Sequence, residues 1–267
     1  MDLIVETSKK PSKVKPRFWL IGGTSESANL AQLLATRGIL TTITVTTVAA
    51  QKLYRDSPYL KIKVGKLLSN QEGKIFCREE NIQGIIDASH PFAIAISQRA
   101  IALSRCLDIP YLRYERSTLE TNTSKTIICD NFDTLIQGNY LTGEKVLLTI
   151  GCNHLYLFKQ WQERATLFTR ILPTIDSLAI ATAAGFTPER IIAIRPPVNF
   201  ELELALWRHW GISLVVSKAN GKAGGEDIKQ RVAETLNIPL IIISRPKLDY
   251  PNITDNPDEV LKFCLEE

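Results

Sequence analysis

Glycines and hydroxyl side chains stand together near the start of the chain. Between an apolar run and a stretch of helical period the sequence reads Gly-Gly-Thr-Ser-Glu-Ser. Glycines let the backbone approach a phosphate, and the first turn of a helix offers free N–H groups and partial positive charge. The segment predicts a dinucleotide site, although the third glycine of the usual pattern is missing and two adjacent glycines also suit an ordinary tight turn. The predicted cofactor contacts here are Gly22, Gly23, Thr24, Ser25, Glu26 and Ser27.

The second predicted strand ends in hydroxyls where an NAD enzyme has an acid. Thr46 and Thr47 stand at the position where Asp or Glu would hold the ribose diol, and Lys52 and Arg55 follow closely. Hydroxyls beside cations suit a 2′-phosphate, so these residues favour NADP(H) over NAD if a cofactor binds. The alternative is that the threonines are simple strand formers and the cations belong to a solvated face.

Two more polar segments follow predicted strands in the N-terminal half. Ser89 is a candidate cofactor contact, and His90 is a candidate proton donor or substrate contact, although either residue can instead cap the next helix. Arg113 and Arg116 flank Glu115 after the following strand. They suit carboxylates or phosphates of a ligand, or a local ion pair with Glu115.

The C-terminal half repeats the sequence of strand, glycine and helix. Gly151 follows one apolar run, and Arg245 ends the last strand. Between them a basic, glycine-rich segment follows another strand and lacks the pattern of a Walker A loop. The segment predicts contacts with a ligand that carries several anionic groups. Its candidate residues are Lys218, Asn220, Gly221 and Gly225.

Short β-branched runs alternate with stretches of helical period, which is typical of parallel sheets built from βαβ units. The predicted strands are Phe18–Ile21, Thr41–Val45, Leu60–Val64, Ile82–Asp87, Ile109–Leu112, Val146–Ile150, Ala165–Thr169, Ile191–Ile194, Ser213–Ser217 and Leu240–Ser244, with a further apolar segment at Thr126–Cys129. The predicted helices are Ser25–Thr36, Ser89–Cys106, His154–Gln162, Thr174–Ala184, Phe200–Trp210 and Glu226–Leu236.

This alternation predicts an α/β fold with two domains, each a mainly parallel sheet flanked by helices, that face a cleft. Glycines near residues 139–144 break the pattern, so we expect one domain at residues 17–141 and a second at 142–267, after a flexible leader at 1–16. The 267-residue length suits two domains of ordinary size.

Composition excludes several classes of protein. A net charge of +4 without a basic stripe interleaved with aromatics argues against a nucleic-acid binder. The apolar runs are too short to cross a membrane, so we expect no membrane partner. The cysteines number five, and none has the spacing of a zinc site or a disulfide framework, which favours a reducing cytoplasm and no bound metal.

Several segments together resemble the precorrin-6A reductases of cobalamin biosynthesis. They are Gly22–Glu26, Asp87–Ala93, Tyr111–Arg116, Leu148–Gly151, Arg170–Pro173, Lys218–Gly225 with Lys229, and Arg245–Pro246. The resemblance runs from about Arg17 to Arg245. Ala219-Asn220 after Lys218, and Cys152 after Gly151, depart from the family's pattern.

The resemblance implies two Rossmann-like domains, the first binding NADPH and the second the substrate. It implies reduction of a ring double bond in precorrin-6A or cobalt-precorrin-6A, giving (cobalt-)precorrin-6B. The substrate would be a tetrapyrrole polycarboxylate, and Lys229 joins its predicted contacts. The cofactor would supply the hydride and the protein would hold both ligands in place, so neither a nucleophile nor a metal ligand is expected.

Two alternatives remain open at this stage. A short-chain type of NADP-dependent oxidoreductase needs Tyr-x-x-x-Lys, and Tyr59 with Lys63 has that spacing, but the pair lies too soon after the glycine segment and within a predicted strand. The chain could also be a non-enzymatic NADP-binding regulator. The sequence leaves the oligomeric state as a monomer or a small homo-oligomer.

Overall fold

The computed structural model describes residues 16–117, 119 and 124–266. The predicted leader therefore lies outside the described residues, apart from Pro16. The chain divides into two compact units. The first unit ends at Glu115 and resumes at Asp249, and the second runs from Arg116 to Leu248.

The first unit is a parallel sheet with helices on its faces. Its strands are β1 (Arg17–Ile21), β2 (Leu40–Val45), β3 (Leu60–Val64), β4 (Ile82–Asp87) and β5 (Tyr111–Tyr114), and its helices are α1 (Ser25–Thr36), α2 (Val48–Gln51), α3 (Asn70–Glu79) and α4 (Ile94–Leu107). The six-stranded sheet is completed by residues from the C-terminal segment, and every pairing in it is parallel.

The second unit repeats this architecture. Its strands are β6 (Thr126–Cys129), β7 (Lys145–Leu148), β8 (Thr166–Ile171), β9 (Ile191–Ala193), β10 (Leu214–Lys218) and β11 (Leu240–Ile243), and its α-helices are α5 (Phe132–Gln137), α6 (Ile175–Ala183), α7 (Phe200–Trp210) and α8 (Glu226–Leu236). Three 3₁₀ segments connect them, at Cys152–Trp161, Pro188–Arg190 and Lys222–Gly224. The strand order is β6-β11-β10-β7-β8-β9, all parallel.

The last segment of the chain returns to the first unit. There β12 (Ile253–Thr254) pairs with β5, and α9 (Pro257–Leu265) follows it. The first sheet thus has the order β12-β5-β4-β1-β2-β3. Three side chains of α9, Val260, Leu261 and Cys264, are buried in the same apolar cluster as residues of β1 and α1.

This arrangement corrects the predicted division between residues 141 and 142. Strand β6 belongs to the second sheet because it pairs with β11 along its whole length, and β12 belongs to the first. Both facts rest on pairing between distant segments, which no local pattern contains. The predicted helix at Ser89–Cys106 also begins later, at Ile94, because residues 90–93 form a turn in which the Ala93 N–H donates to the His90 carbonyl.

The predicted fold class is confirmed, since each unit is a parallel α/β sheet. Central strands such as β4 are buried on both faces, as expected where helices cover both sides. Carboxyl ends of neighbouring parallel strands meet at one edge of each sheet, and that edge carries the predicted polar loops. Among the described residues we find no helix with the length and apolar character needed to span a bilayer.

Candidate functional site

The turn between β1 and α1 is built on backbone that only glycine adopts easily. Gly23 has a φ of +107° and is exposed. Thr24 caps α1: its Oγ1 accepts the Ser27 N–H at 3.0 Å, and its own N–H donates to Ser27 Oγ at 3.0 Å. Ser27 is fully buried, so its side chain shapes the turn and is not presented to a ligand. Ser25 is exposed at the first position of the helix.

A tyrosine that the sequence did not single out completes this turn. Tyr54 comes from the loop after α2, and its ring is mostly buried. Its hydroxyl accepts the Gly23 N–H at 2.7 Å and lies 2.7 Å from Ser27 Oγ. Burial raises the pKa of Tyr54 above its ordinary value, against the two hydrogen bonds. No motif could have flagged Tyr54, because it lies 31 residues from Gly23.

The residues predicted to meet a 2′-phosphate lie at the end of the neighbouring strand. Thr46 and Thr47 are exposed just after β2, and Lys52 and Arg55 are exposed in the following loop. Thr47 Oγ1 accepts the Ala50 N–H at 3.1 Å and so caps α2. Because β1 and β2 are paired in parallel, these side chains and the glycine turn share one edge of the sheet.

The arginine at the end of β5 is enclosed by carboxylates. Arg113 Nη1 donates to Asp87 Oδ1 at 2.9 Å, and its Nε and Nη2 donate to Glu115 Oε2 at 2.8 and 2.5 Å. The side chains of Arg113 and Asp87 have no exposed surface. Burial alone would lower the pKa of Arg113, but Asp87 and Glu115 raise it above its ordinary value. This burial corrects the prediction that Arg113 contacts substrate.

Ser89 and His90 both lie in the loop after β4, but they differ in their exposure to solvent. Ser89 is buried; its Oγ accepts from Arg113 Nη1 at 3.0 Å, and its N–H donates to Asp87 Oδ1 at 3.0 Å. Its side chain therefore supports the loop. His90 is exposed, and its Nδ1 accepts the Phe92 N–H at 3.2 Å. Neither residue caps α4, which has no side-chain cap.

The glycine turn and the loop after β4 adjoin each other. Thr24 Oγ1 donates to the Ala88 carbonyl at 3.3 Å, and β1 pairs with β4. The structure thus brings the glycine segment, the exposed threonines and the segment that carries His90 to one edge of the first sheet.

The Tyr-x-x-x-Lys spacing of Tyr59 and Lys63 does not form part of this site. Lys63 Nζ instead forms an ion pair with Glu80 at 2.6 Å.

A buried amine lies at the carboxyl end of β10 in the second unit. Lys218 Nζ is 3.2 Å from His154 Nδ1, and the His154 ring stacks on Phe132 with centroids 4.5 Å apart. Burial lowers the pKa of Lys218 to about 8. Burial and the Lys218 charge lower the pKa of His154 to about 4. The sequence prediction missed His154 and Phe132, although His154 follows Gly151 closely.

Two charged side chains of α8, Glu226 and Lys229, bind the glycine-rich loop that precedes this helix. Glu226 Oε2 accepts the Gly221 N–H at 2.7 Å, and Lys229 Nζ donates to the carbonyls of Gly224 and Gly225 at 2.5 and 3.2 Å. Lys229 is 1% exposed, and burial lowers its pKa to about 8. Its burial corrects the prediction that Lys229 contacts substrate, and it instead fixes the loop.

Two arginines reach the same loop from the other side. Arg116 Nη2 donates to the Asn220 carbonyl at 2.5 Å. Arg245 donates through Nε to the Ala219 carbonyl at 2.9 Å and through Nη1 to the Arg116 carbonyl at 2.7 Å. Arg116, Asn220 and Arg245 are half-buried, so part of each remains open to solvent. Arg116 and Arg245 therefore come together with the predicted residues of the glycine-rich loop.

Comparison with known proteins shows the family to which the chain is similar. The family described as "Precorrin-6x reductase CbiJ/CobK" matches residues 17–265. The chain is 45% identical over 249 residues to the cobalt-precorrin-6A reductase of Synechocystis sp. (strain PCC 6803), covering 92% of this chain and 95% of that protein. It is 31% identical over 255 residues to the cobalt-precorrin-6A reductase of Priestia megaterium, covering 93% and 98%.

A solved structure shares the fold. The structure titled "CobK precorrin-6A reductase" aligns with a TM-score of 0.78 at 22% sequence identity, covering 94% of this chain and 96% of that one. At this identity the likeness concerns the fold. The family match at residues 17–265, in contrast, spans both units.

Proposed function

Because the chain belongs to the precorrin-6x reductase family, we propose that it reduces a ring double bond of precorrin-6A or cobalt-precorrin-6A, with NADPH as the hydride donor. The observation that carries the proposal is the 45% identity over 92% of the chain to a cobalt-precorrin-6A reductase. The product would be precorrin-6B or its cobalt form.

We propose the edge of the first sheet as the cofactor site. Its exposed glycine turn opens α1, where N–H groups and the helix dipole favour a phosphate. The exposed hydroxyls of Thr46 and Thr47, with the cations Lys52 and Arg55, suit the 2′-phosphate that separates NADPH from NADH. When bound, NADPH would supply the hydride, and these residues would hold and orient it.

We propose the glycine-rich loop of the second unit, with its cations, as the substrate site. Arg116, Lys218 and Arg245 are gathered there, and carboxylates of a tetrapyrrole suit guanidinium and ammonium partners. Reduction of a carbon–carbon double bond also needs a proton. His90 remains the proposed proton donor or substrate contact because it is exposed beside the proposed cofactor site.

The direct test offers the purified protein NADPH with each macrocycle in turn. We expect the near-ultraviolet absorbance of NADPH to fall only when a macrocycle is present, and comparison of the two rates identifies the preferred form. Binding of NADPH without oxidation in the presence of either macrocycle would overturn the proposed reaction.

The preference between cofactors gives a second test. The variant Arg55→Ala removes a cation from the proposed 2′-phosphate site, so we expect its KM for NADPH to rise about tenfold while the KM for NADH changes little. Arg37→Ala, which removes an exposed cation at the opposite end of α1, is the matched control. Equal changes in the two KM values would contradict the assignment of Arg55.

A further inference from the structure

Tyr54 joins two segments of the first unit that are far apart in the sequence. Its ring belongs to the apolar cluster formed by β1, β2 and α1, and only 8% of the residue is exposed. Its hydroxyl alone leaves that cluster and reaches the glycine turn. An anchored aromatic ring with a polar tip fixes the position of that tip, because few rotamers fit a packed core.

The hydrogen bonds around this hydroxyl have one consistent direction. Ser27 Oγ donates to the Thr24 carbonyl at 2.7 Å, so its single proton is used. Tyr54 must then donate to Ser27 Oγ, which leaves its oxygen to accept the Gly23 N–H. The Gly23 N–H thus donates to the Tyr54 hydroxyl, this hydroxyl donates to the Ser27 hydroxyl, and the Ser27 hydroxyl donates to the Thr24 carbonyl. Each polar group of the turn is satisfied by the next one.

The approach of Tyr54 also explains the first glycine of the turn. A Cβ placed on Gly22 would lie 2.1 Å from the Tyr54 hydroxyl oxygen and 3.1 Å from Ile43 Cγ2. Position 22 therefore needs a glycine because any larger side chain would collide with Tyr54. Gly23, in contrast, has no heavy atom within 4 Å of the place where its Cβ would be, and is open to a ligand.

We propose that Tyr54 is the positioning residue of the cofactor site, holding the glycine turn and the first turn of α1 in the geometry that binds the cofactor's phosphates. This inference rests on the proposed function. The loop that carries Tyr54 also carries Lys52 and Arg55, two residues before it and one after it. Tyr54 thus couples the proposed 2′-phosphate contacts to the proposed pyrophosphate contacts.

The test is the variant Tyr54→Phe, which keeps the buried ring and removes only the hydroxyl. We expect the Kd for NADPH, measured by fluorescence titration, to rise about tenfold because the Gly23 N–H loses its partner and the turn relaxes. The KM for NADPH should rise in parallel, while kcat at saturating NADPH and the KM for the macrocycle stay within about twofold. A loss of general stability would not produce that division.

Two further variants keep the proposal falsifiable. Tyr59 belongs to the same loop, but its ring lies beside Gly38, at the far end of α1. Tyr59→Phe removes a hydroxyl there and should leave the Kd for NADPH unchanged. Gly22→Ala should weaken NADPH binding strongly alone but much less in a Tyr54→Phe background, because the phenylalanine lacks the oxygen that the new methyl group meets.

The outcomes separate this inference from the proposed function. If the wild-type protein binds no NADPH, both are overturned. If it binds NADPH and Tyr54→Phe binds it equally well, or if Gly22→Ala and Tyr54→Phe act additively, the role of Tyr54 is overturned and the cofactor site stands.

Discussion

Both units bury cations, but the surroundings of these cations shift the pKa in opposite directions. In the first unit Arg113 lies between Asp87 and Glu115, and these carboxylates raise its pKa above the ordinary value despite burial. In the second unit Lys229 is held by backbone carbonyls, and burial lowers its pKa to about 8. Lys218 beside His154 has its pKa lowered by burial to about 8 as well.

The difference separates Arg113, whose charge is satisfied within the protein, from Lys218, whose charge an arriving ligand can affect. A guanidinium enclosed by two carboxylates has its charge satisfied within the protein, so an added anion gains little there. An amine whose pKa burial has lowered is stabilised when a carboxylate arrives, since an anion favours the charged form. The second unit is therefore the better proposed site for a polycarboxylate, and the arginine of the first unit supports its loop.

The largest expected effect comes from breaking the ion pairs of the first unit. Arg113→Met would leave Asp87 and Glu115 without their shared cation, and we expect a loss of about 3–5 kcal/mol in the free energy of unfolding. Urea denaturation followed by circular dichroism measures it. Lys262→Met, which breaks the exposed pair with Glu266, should leave the transition unchanged.

A second variant tests whether the charge pattern itself causes that loss. Adding Asp87→Asn to Arg113→Met removes one uncompensated charge, so part of the lost stability should return. If Arg113→Met is as stable as the wild type, the carboxylates do not depend on Arg113, and the contrast between the two units is wrong.

The next effect concerns Lys229 and the dependence of stability on pH. Its folded pKa of about 8 lies below the unfolded value of 10.5, so between these values the unfolded chain binds a proton that the folded chain does not. Stability should therefore rise with pH across this window. Lys229→Met should remove on the order of 2 kcal/mol of that rise, leaving the part that Lys218 contributes.

Thermal unfolding of both proteins at several pH values between 7 and 10 measures this difference. The control is Lys222→Met, an exposed residue of the same loop, which should keep the wild-type rise. An undiminished rise in Lys229→Met would show that the buried amine is not its source. In the same variant the KM for the macrocycle should increase, since the loop loses the group that holds the carbonyls of Gly224 and Gly225.

The smallest expected effect is a proton taken up on substrate binding. Lys218 faces the His154 and Phe132 rings and lies near the Cys152 thiol, and burial holds its pKa at about 8. A bound carboxylate would raise that pKa again, so binding above pH 8 should take up a proton and weaken as pH increases. Calorimetry in buffers of different ionisation enthalpy measures the uptake. Lys218→Met should abolish it, and persistence of the uptake would exclude Lys218.

Local patterns in the sequence predicted much of the fold. Strands β3 and β4 and helices α1, α7 and α8 have the predicted bounds because their apolar periodicity is regular. Helix α3 was missed because it is polar and contains Gly73, a weak helix former that is present because Leu103 packs against it. The domain boundary was misplaced because β6 and β12 pair with strands far away in the chain.

The candidate site was predictable to the level of loops but not of side-chain roles. The glycine turn, the exposed threonines and the basic loop lie at sheet edges as expected from the position of strand ends. The burial of Arg113 could not be read from its own segment, because its buried carboxylate partner Asp87 lies on β4, 26 residues away. Tyr54 and His154 act through contacts with residues 31 and 64 positions away, which single-sequence reasoning does not reach.

The return of the chain to the first unit has a consequence for how the protein is made. The core around β1 and α1 needs Val260, Leu261 and Cys264, and β5 needs β12 at its edge. A ribosome adds the intervening residues over on the order of ten seconds, so the nascent first unit waits with an open edge while the second unit emerges and folds. The second unit, whose strands are contiguous in the chain, can therefore complete its sheet before the unit that precedes it.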